Sequence, residues 1–147
     1  MIFLASDHIG FEYKEKIQDY LLNKGYKVKN LGPKNDKVVN FSEYALLVAK
    51  NVVADPYNRG ILVSGTGQGM CIAANKVKGI YAALVYAEDV AVKSREENNS
   101  NVLCLPARHL SVEAVNDIVS AWLSTSFSTT KESLEHISLI KEIENEK

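Results

Sequence analysis

A chain of 147 residues is long enough for one domain with its own core and short for two. Its formal net charge of −1 leaves no global basic field for nucleic acid, and 46% hydrophobic with 24% charged residues is the make-up of an ordinary globular protein. The opening apolar run Ile2-Phe3-Leu4-Ala5 is too short for a signal-peptide core or a membrane span. The cytosol is therefore the expected compartment, and neither a membrane nor nucleic acid is an expected partner.

Taken in order, Ile2 to Ala5 reads as a first strand, followed by the loop Ser6-Asp7-His8-Ile9-Gly10. Residues 11–24 place Phe11, Ile17, Tyr20, Leu21 and Leu22 among charges, an amphipathic helix that Gly25 stops. Tyr26 to Leu31 alternates and predicts a second strand, and Gly32-Pro33-Lys34-Asn35-Asp36 is turn material. Residues 42–54 predict a helix, which Asp55-Pro56-Tyr57-Asn58 breaks. The run Ile61-Leu62-Val63 predicts a buried central strand, and Met70 to Lys76 a helix. Ile80 to Val85 predicts a fourth strand, residues 87–96 a short helix, and Val102 to Leu105 a fifth strand. Ser111 is placed to cap a helix reaching about Leu123. Thr130 is placed to cap a last helix, to about Glu144 within the terminal stretch 130–146, with Leu134, Ile137, Ile140 and Ile143 as its apolar stripe. Strands alternating with helices predict a Rossmann-like, three-layer α/β/α sandwich on a five-stranded, mainly parallel sheet, as a single domain over 1–147.

Between the third strand and its helix lies Ser64-Gly65-Thr66-Gly67-Gln68-Gly69, with three glycines in five residues. Glycine accepts positive φ, so such a loop can turn its N–H groups inward and cradle a phosphate or a developing oxyanion. A plain turn needs fewer glycines. In a parallel sheet ligands bind beyond the carboxyl ends of the strands. Those ends carry Ser6-Asp7-His8, Ser64-Gly65-Thr66 and Leu105-Pro106-Ala107-Arg108, so the reactive side chains collect on one rim. Cys71 and Cys104 have no metal or redox spacing and read as buried thiols. His8, His109 and His136 are too far apart for a local metal site, and His109 and His136 read as surface histidines.

Asp7-His8, the stretch Ser64 to Ile80 (SGTGQGMCIAANKVKGI), Asn98 to Leu103 and Arg108 together resemble the ribose 5-phosphate isomerase B / galactose 6-phosphate isomerase family, over nearly the whole chain. The resemblance implies interconversion of an aldose phosphate and its ketose phosphate, foremost ribose 5-phosphate and ribulose 5-phosphate. It implies no metal and no cofactor, and a homodimer with active sites at the subunit boundary and the C-terminal helix in the interface. A higher oligomer or a paralogous partner chain are the alternatives. It carries catalytic roles onto Asp7, His8, Ser64, Thr66 and Glu97, and substrate-binding roles onto Phe41, Gly65, Gly67, Gly69, Asn98, Arg108 and Lys131.

The departures from the family pattern bear on the chemistry. Ser64 stands where a cysteine base is common, and Glu97 where a ring-opening histidine is common. Asn40-Phe41-Ser42 replaces the usual Asp-Tyr-Pro, and Thr129-Thr130-Lys131-Glu132 replaces an arginine-bearing segment whose second arginine falls at about Glu135. A thiol of ordinary pKa about 8.5 can be tuned into a base, whereas a serine hydroxyl is far weaker as an acid and needs an activating neighbour. His8 and Asp7 are the candidates for that neighbour, and His8, Glu97 or Cys71 for the base. An isomerase of another sugar phosphate, such as a six-carbon one, and a non-catalytic sugar-phosphate-binding partner subunit are the competing readings.

Overall fold

The computed structural model describes residues 1–146. Its five strands are β1 (Ile2–Ser6), β2 (Val28–Gly32), β3 (Arg59–Ser64), β4 (Ala82–Leu84) and β5 (Val102–Pro106). They form one sheet in the order β2-β1-β3-β5-β4, with every recorded pairing parallel. The helices are α1 (Phe11–Asn23), α2 (Phe41–Val52), α3 (Gln68–Ala74), α4 (Glu88–Glu96), α5 (Val112–Ser124) and α6 (Lys131–Asn145). This is the α/β/α sandwich that the alternation predicts.

Strand alternation divides the core. Leu4, Ile61, Val63, Leu103 and Leu105 face a layer containing Ile17 and Leu21 of α1, Ala91 of α4 and Val115, Ile118 and Trp122 of α5. Phe3, Ala5, Leu62, Val102 and Cys104 face Ala45, Val48, Ala49 and Val52 of α2 and Met70 and Ala74 of α3. Burial on both faces is why the central strands read as continuous apolar runs instead of alternating ones.

Two strand boundaries differ from the sequence reading. Tyr26 donates its backbone N–H to Leu21 O and Gly25 to Leu22 O, with Gly25 at φ 85°, so α1 ends in a Schellman motif and β2 starts only at Val28. On the other edge, Tyr81 N–H donates to the Asn101 side chain at 2.8 Å instead of to a strand, and β4 shrinks to Ala82–Leu84. The expected caps form: Ser111 Oγ accepts from Ala114 N–H and Thr130 Oγ1 from Ser133 N–H.

Lys14, one of the charges expected on the face of α1, is fully buried. Its ammonium donates to Glu15 Oε1 at 2.7 Å, Asn30 Oδ1 at 3.1 Å and Pro33 O at 2.7 Å, and lies 4.8 Å above the Phe11 ring. It thereby ties α1 to the end of β2. Gly10 ties the start of α1 to β3: a Cβ there would lie 2.2 Å from Val63 O. Gly10→Ala forces that strand and helix apart. We expect it to lower the unfolding free energy by about 2 kcal/mol or more in urea denaturation, the usual scale of overpacking. An unchanged midpoint would contradict this packing.

Candidate active site

Asp7 and His8 follow β1, and Ser64 ends β3. Arg108 follows β5 in a single 3-10 turn (Ala107–His109). The parallel register puts all of them on one rim, with Ser6 opposite Val63 and Ser64 opposite Pro106. Asp7 is buried, and its Oδ1 accepts Gly10 N–H at 2.8 Å at the start of α1. That bond closes the turn that leads into α1. His8 is half-buried, with its Nδ1 enclosed and unpartnered among the described residues.

Ser64 is 6% exposed, and its Oγ accepts Gly67 N–H at 3.0 Å. That bond closes the glycine loop on its own first residue and leaves the hydroxyl proton free to donate. Gly67 sits at φ 74°, and a Cβ on it would lie 2.5 Å from Leu84 Cδ1 and 3.2 Å from Leu105 C. Gly67 is therefore obligatory to the turn itself. Gly65 packs under Arg108: its carbonyl accepts Arg108 N–H at 3.0 Å, and a Cβ would lie 3.4 Å from Arg108 Nε. Gly69 is the seat of Phe41, whose ring atoms would lie 2.7 Å from a Cβ. Phe41 is held there as the first residue of α2, capped by Asn40 Oδ1 accepting Ser42 N–H at 3.0 Å. Thr66 is exposed at the apex of the loop. The rim thus brings together Asp7, His8, Phe41, Ser64, Gly65, Thr66, Gly67, Gly69 and Arg108.

Three other sequence candidates lie elsewhere. Glu97 and Asn98 precede the amino end of β5, whereas Arg108 follows its carboxyl end; five residues of strand separate them by roughly 16 Å. Lys131 opens α6 after the segment in which Ser128 N–H donates to Glu96 O, so it belongs to the same opposite edge. Glu97 is 59% exposed and 3.5 Å from Lys93, and Lys131 is 91% exposed and 3.9 Å from Glu135. One chain does not unite the two groups.

Cys71 lies in α3 beyond the turn, with its thiol 3.4 Å from Ala82 O. Hydrogen bonding from Cys104 holds the Cys71 thiol below its usual pKa, while that contact and complete burial push Cys104 well up. Both contacts tie Cys71 to the sheet instead of the rim. His109 and His136 are exposed, and His136 lies 3.7 Å from Glu132. Sequence reasoning missed Arg95, a buried guanidinium bonded to Asn99 and Ser100; its signal, an arginine one turn before a polar Asn-Asn-Ser-Asn run, is faint.

The family model described as Ribose/Galactose Isomerase matches residues 2–141. The chain is 41% identical over 127 residues to the probable ribose-5-phosphate isomerase B of Mycoplasma pneumoniae, covering 86% of this chain and 84% of that protein. It is 36% identical over 128 residues to the D-erythrulose-4-phosphate isomerase of Pectobacterium atrosepticum, with 86% and 84% covered. The crystal structure of ribose-5-phosphate isomerase B from Mycoplasma genitalium, with ribulose 5-phosphate bound, superposes with a TM-score of 0.95 at 39% identity, covering 99% of this chain and 97% of that one.

The loop geometry separates two substitutions. Gly67→Ala should cost about 2 kcal/mol of stability, from strain at positive φ and the clash with Leu84 and Leu105. Thr66→Ala, at an exposed apex, should stay within about 0.5 kcal/mol of wild type. Thermal or urea unfolding of both variants checks this, and equal losses would contradict it.

Proposed function

The chain belongs to the ribose/galactose isomerase family of sugar-phosphate isomerases, and from that premise we propose that it interconverts ribose 5-phosphate and ribulose 5-phosphate. The carrying observation is the closed loop Ser64 to Gly69, set beside Asp7, His8 and Arg108 on one rim. The chemistry moves a proton from C2 of the aldose to C1. As C2 loses its proton, the C1 carbonyl oxygen gains negative charge, giving an enediolate. Return of that proton to C1, with transfer of the O2 proton to O1, then gives the ketose. A base must carry the proton, and donors must meet the enediolate oxygens.

In this reading Ser64 donates its free hydroxyl proton to an enediolate oxygen, and backbone N–H groups of the loop hold the oxygen-rich end of the sugar. Arg108 pairs with the phosphate. His8 is the base, since its ring lies on the rim, while one oxygen of Asp7 is committed to Gly10 and the Cys71 thiol to the sheet. Phe41 walls the sugar against Gly69.

Glu97, Asn98 and Lys131 reach such a site only from a second copy, in which Glu97 carries the proton for ring opening and Lys131 adds a point charge for phosphate. A homodimer of this kind also covers α6. Of its stripe only Ile137 is buried, while Leu134, Ile140 and Ile143 remain 40% to 49% exposed. Ile140 and Ile143 line a groove of about 630 Å³ with Ile80 and Tyr81. An apolar face of that kind is normally an interface. Cys71 and Cys104 are both free thiols, in keeping with action in the cytosol. No helix among the described residues is long and apolar enough to cross a membrane.

Serine in place of a thiol favours a second reading, a sugar-phosphate-binding subunit that serves a catalytic partner chain. The test is isomerisation of a panel of four-, five- and six-carbon aldose phosphates, followed by NMR on the purified chain. Turnover is expected, fastest on ribose 5-phosphate; a faster four- or six-carbon sugar reassigns the substrate. Ser64→Ala should retain activity about a hundredfold down, the scale of one lost oxyanion donor. His8→Ala should lose more. Ser64→Cys should raise the rate tenfold or more, if position 64 faces the proton that moves. Inactivity of both wild type and Ser64→Cys on every sugar would favour the partner-subunit reading. Sedimentation should give a dimer, and a concentration-independent monomer would rule out the shared site.

A further inference from the structure

Arg95, in the last turn of α4, is only 5% exposed, and no carboxylate among the described residues forms an ion pair with it. Its guanidinium is spent on one short segment and its neighbour. Nη1 donates to Asn99 Oδ1 at 3.2 Å and to Ser100 O, and Nε donates to Thr125 O at 3.2 Å. Burial, with Arg59 nearby, pushes its pKa down to about 10, so it stays charged at neutral pH. A buried cation without a counter-ion costs solvation unless every donor finds an acceptor.

The held segment is unusual. Asn99 sits at φ 50°, the one non-glycine residue with positive φ among the described residues. Asn99 N–H returns to Arg95 O at 3.2 Å and Ser100 N–H to Ser94 O at 3.0 Å. Ser100 Oγ accepts Trp122 Nε1–H at 2.9 Å and lies 2.9 Å from Ser94 Oγ. Asn101 bonds Gly79 and Tyr81 through its side chain. Residues 99–101 are therefore fixed on three sides, whereas Glu97 and Asn98 stand exposed on that platform.

We propose that Arg95 is a positioning residue: by holding Asn99 left-handed and gripping the Ser100 carbonyl, it fixes the direction in which Asn98 reaches the sugar phosphate on a second copy. The proposal rests on the two-copy site proposed above. Lysine cannot reproduce it, because a point charge cannot reach the Asn99, Ser100 and Thr125 oxygens with a planar fork.

The test is a double-mutant cycle between Arg95→Lys and Asn98→Ala, read as kcat/KM on ribose 5-phosphate and as affinity for ribulose 5-phosphate by calorimetry, with unfolding followed in parallel. Arg95→Lys should lower kcat/KM about tenfold in the wild-type background and less than about twofold in the Asn98→Ala background. The stability loss should be the same in both. Equal losses of kcat/KM in the two backgrounds, or no loss in either, would overturn the proposal while leaving the two-copy site standing. Asn98→Ala alone leaving both readouts unchanged would instead remove the two-copy site, and this proposal with it. Should Arg95→Lys not fold, Asn99→Gly keeps the φ and removes the Oδ1 acceptor. It must show the same non-additivity with Asn98→Ala, and additive losses would again overturn the assignment.

Discussion

Gly67 turns the chain at φ 74° against the backbone of Leu105 and Pro106, while its N–H is received by Ser64 Oγ at 3.0 Å. The rest of the rim depends on that contact. It places the loop over the end of β5, so that Arg108 can donate its N–H to Gly65 O, and it aims α3 back down the sheet, where Gly69 takes the Phe41 ring. The loop is thus ordered by packing before any ligand arrives. The Ser64 hydroxyl accepts within this turn, which leaves its proton as the part that can face a substrate. Positioned donors of this kind cost no reorganisation when charge develops on a substrate oxygen.

Much of this is legible in the sequence because local signals and packing agree. Buried strands announce themselves as Ile2 to Ala5, Ile61 to Val63 and Val102 to Leu105, and the caps at Ser111 and Thr130 form as their residue types predict. What is not legible depends on contacts between distant segments. Tyr26 belongs to the Schellman turn that closes α1, and Tyr81 is captured by the Asn101 side chain, so neither extends its strand. Lys14 looks like one more helix-face charge until Asn30 and Pro33 enclose it. Arg95 gives no hint that its partners are a serine carbonyl, an asparagine and a threonine carbonyl thirty residues on.

The candidate site is the sharpest case. Its residues appear in the sequence as one set, but the topology divides them between the two ends of β5, with Asp7, His8, Ser64 and Arg108 at one end and Glu97, Asn98 and Lys131 at the other. A parallel sheet enforces this, because each crossover helix carries the chain back to the amino edge before the next strand begins. Within one chain, the residues that lead into β5 and those that follow it therefore lie on opposite edges of the sheet. The exposed apolar stripe of α6 lies on the edge where a second copy would bring the two groups together.

That division makes the two-copy site directly testable by complementation. His8→Ala and Glu97→Gln chains are purified separately, each with little activity, then mixed under conditions that exchange subunits. In a two-fold dimer with shared sites, each mixed dimer regains one intact site. Random pairing of equal amounts should then restore about a quarter of wild-type activity. No activity beyond the sum of the two separate variants, with exchange verified by mass spectrometry, would contradict a site built from two chains.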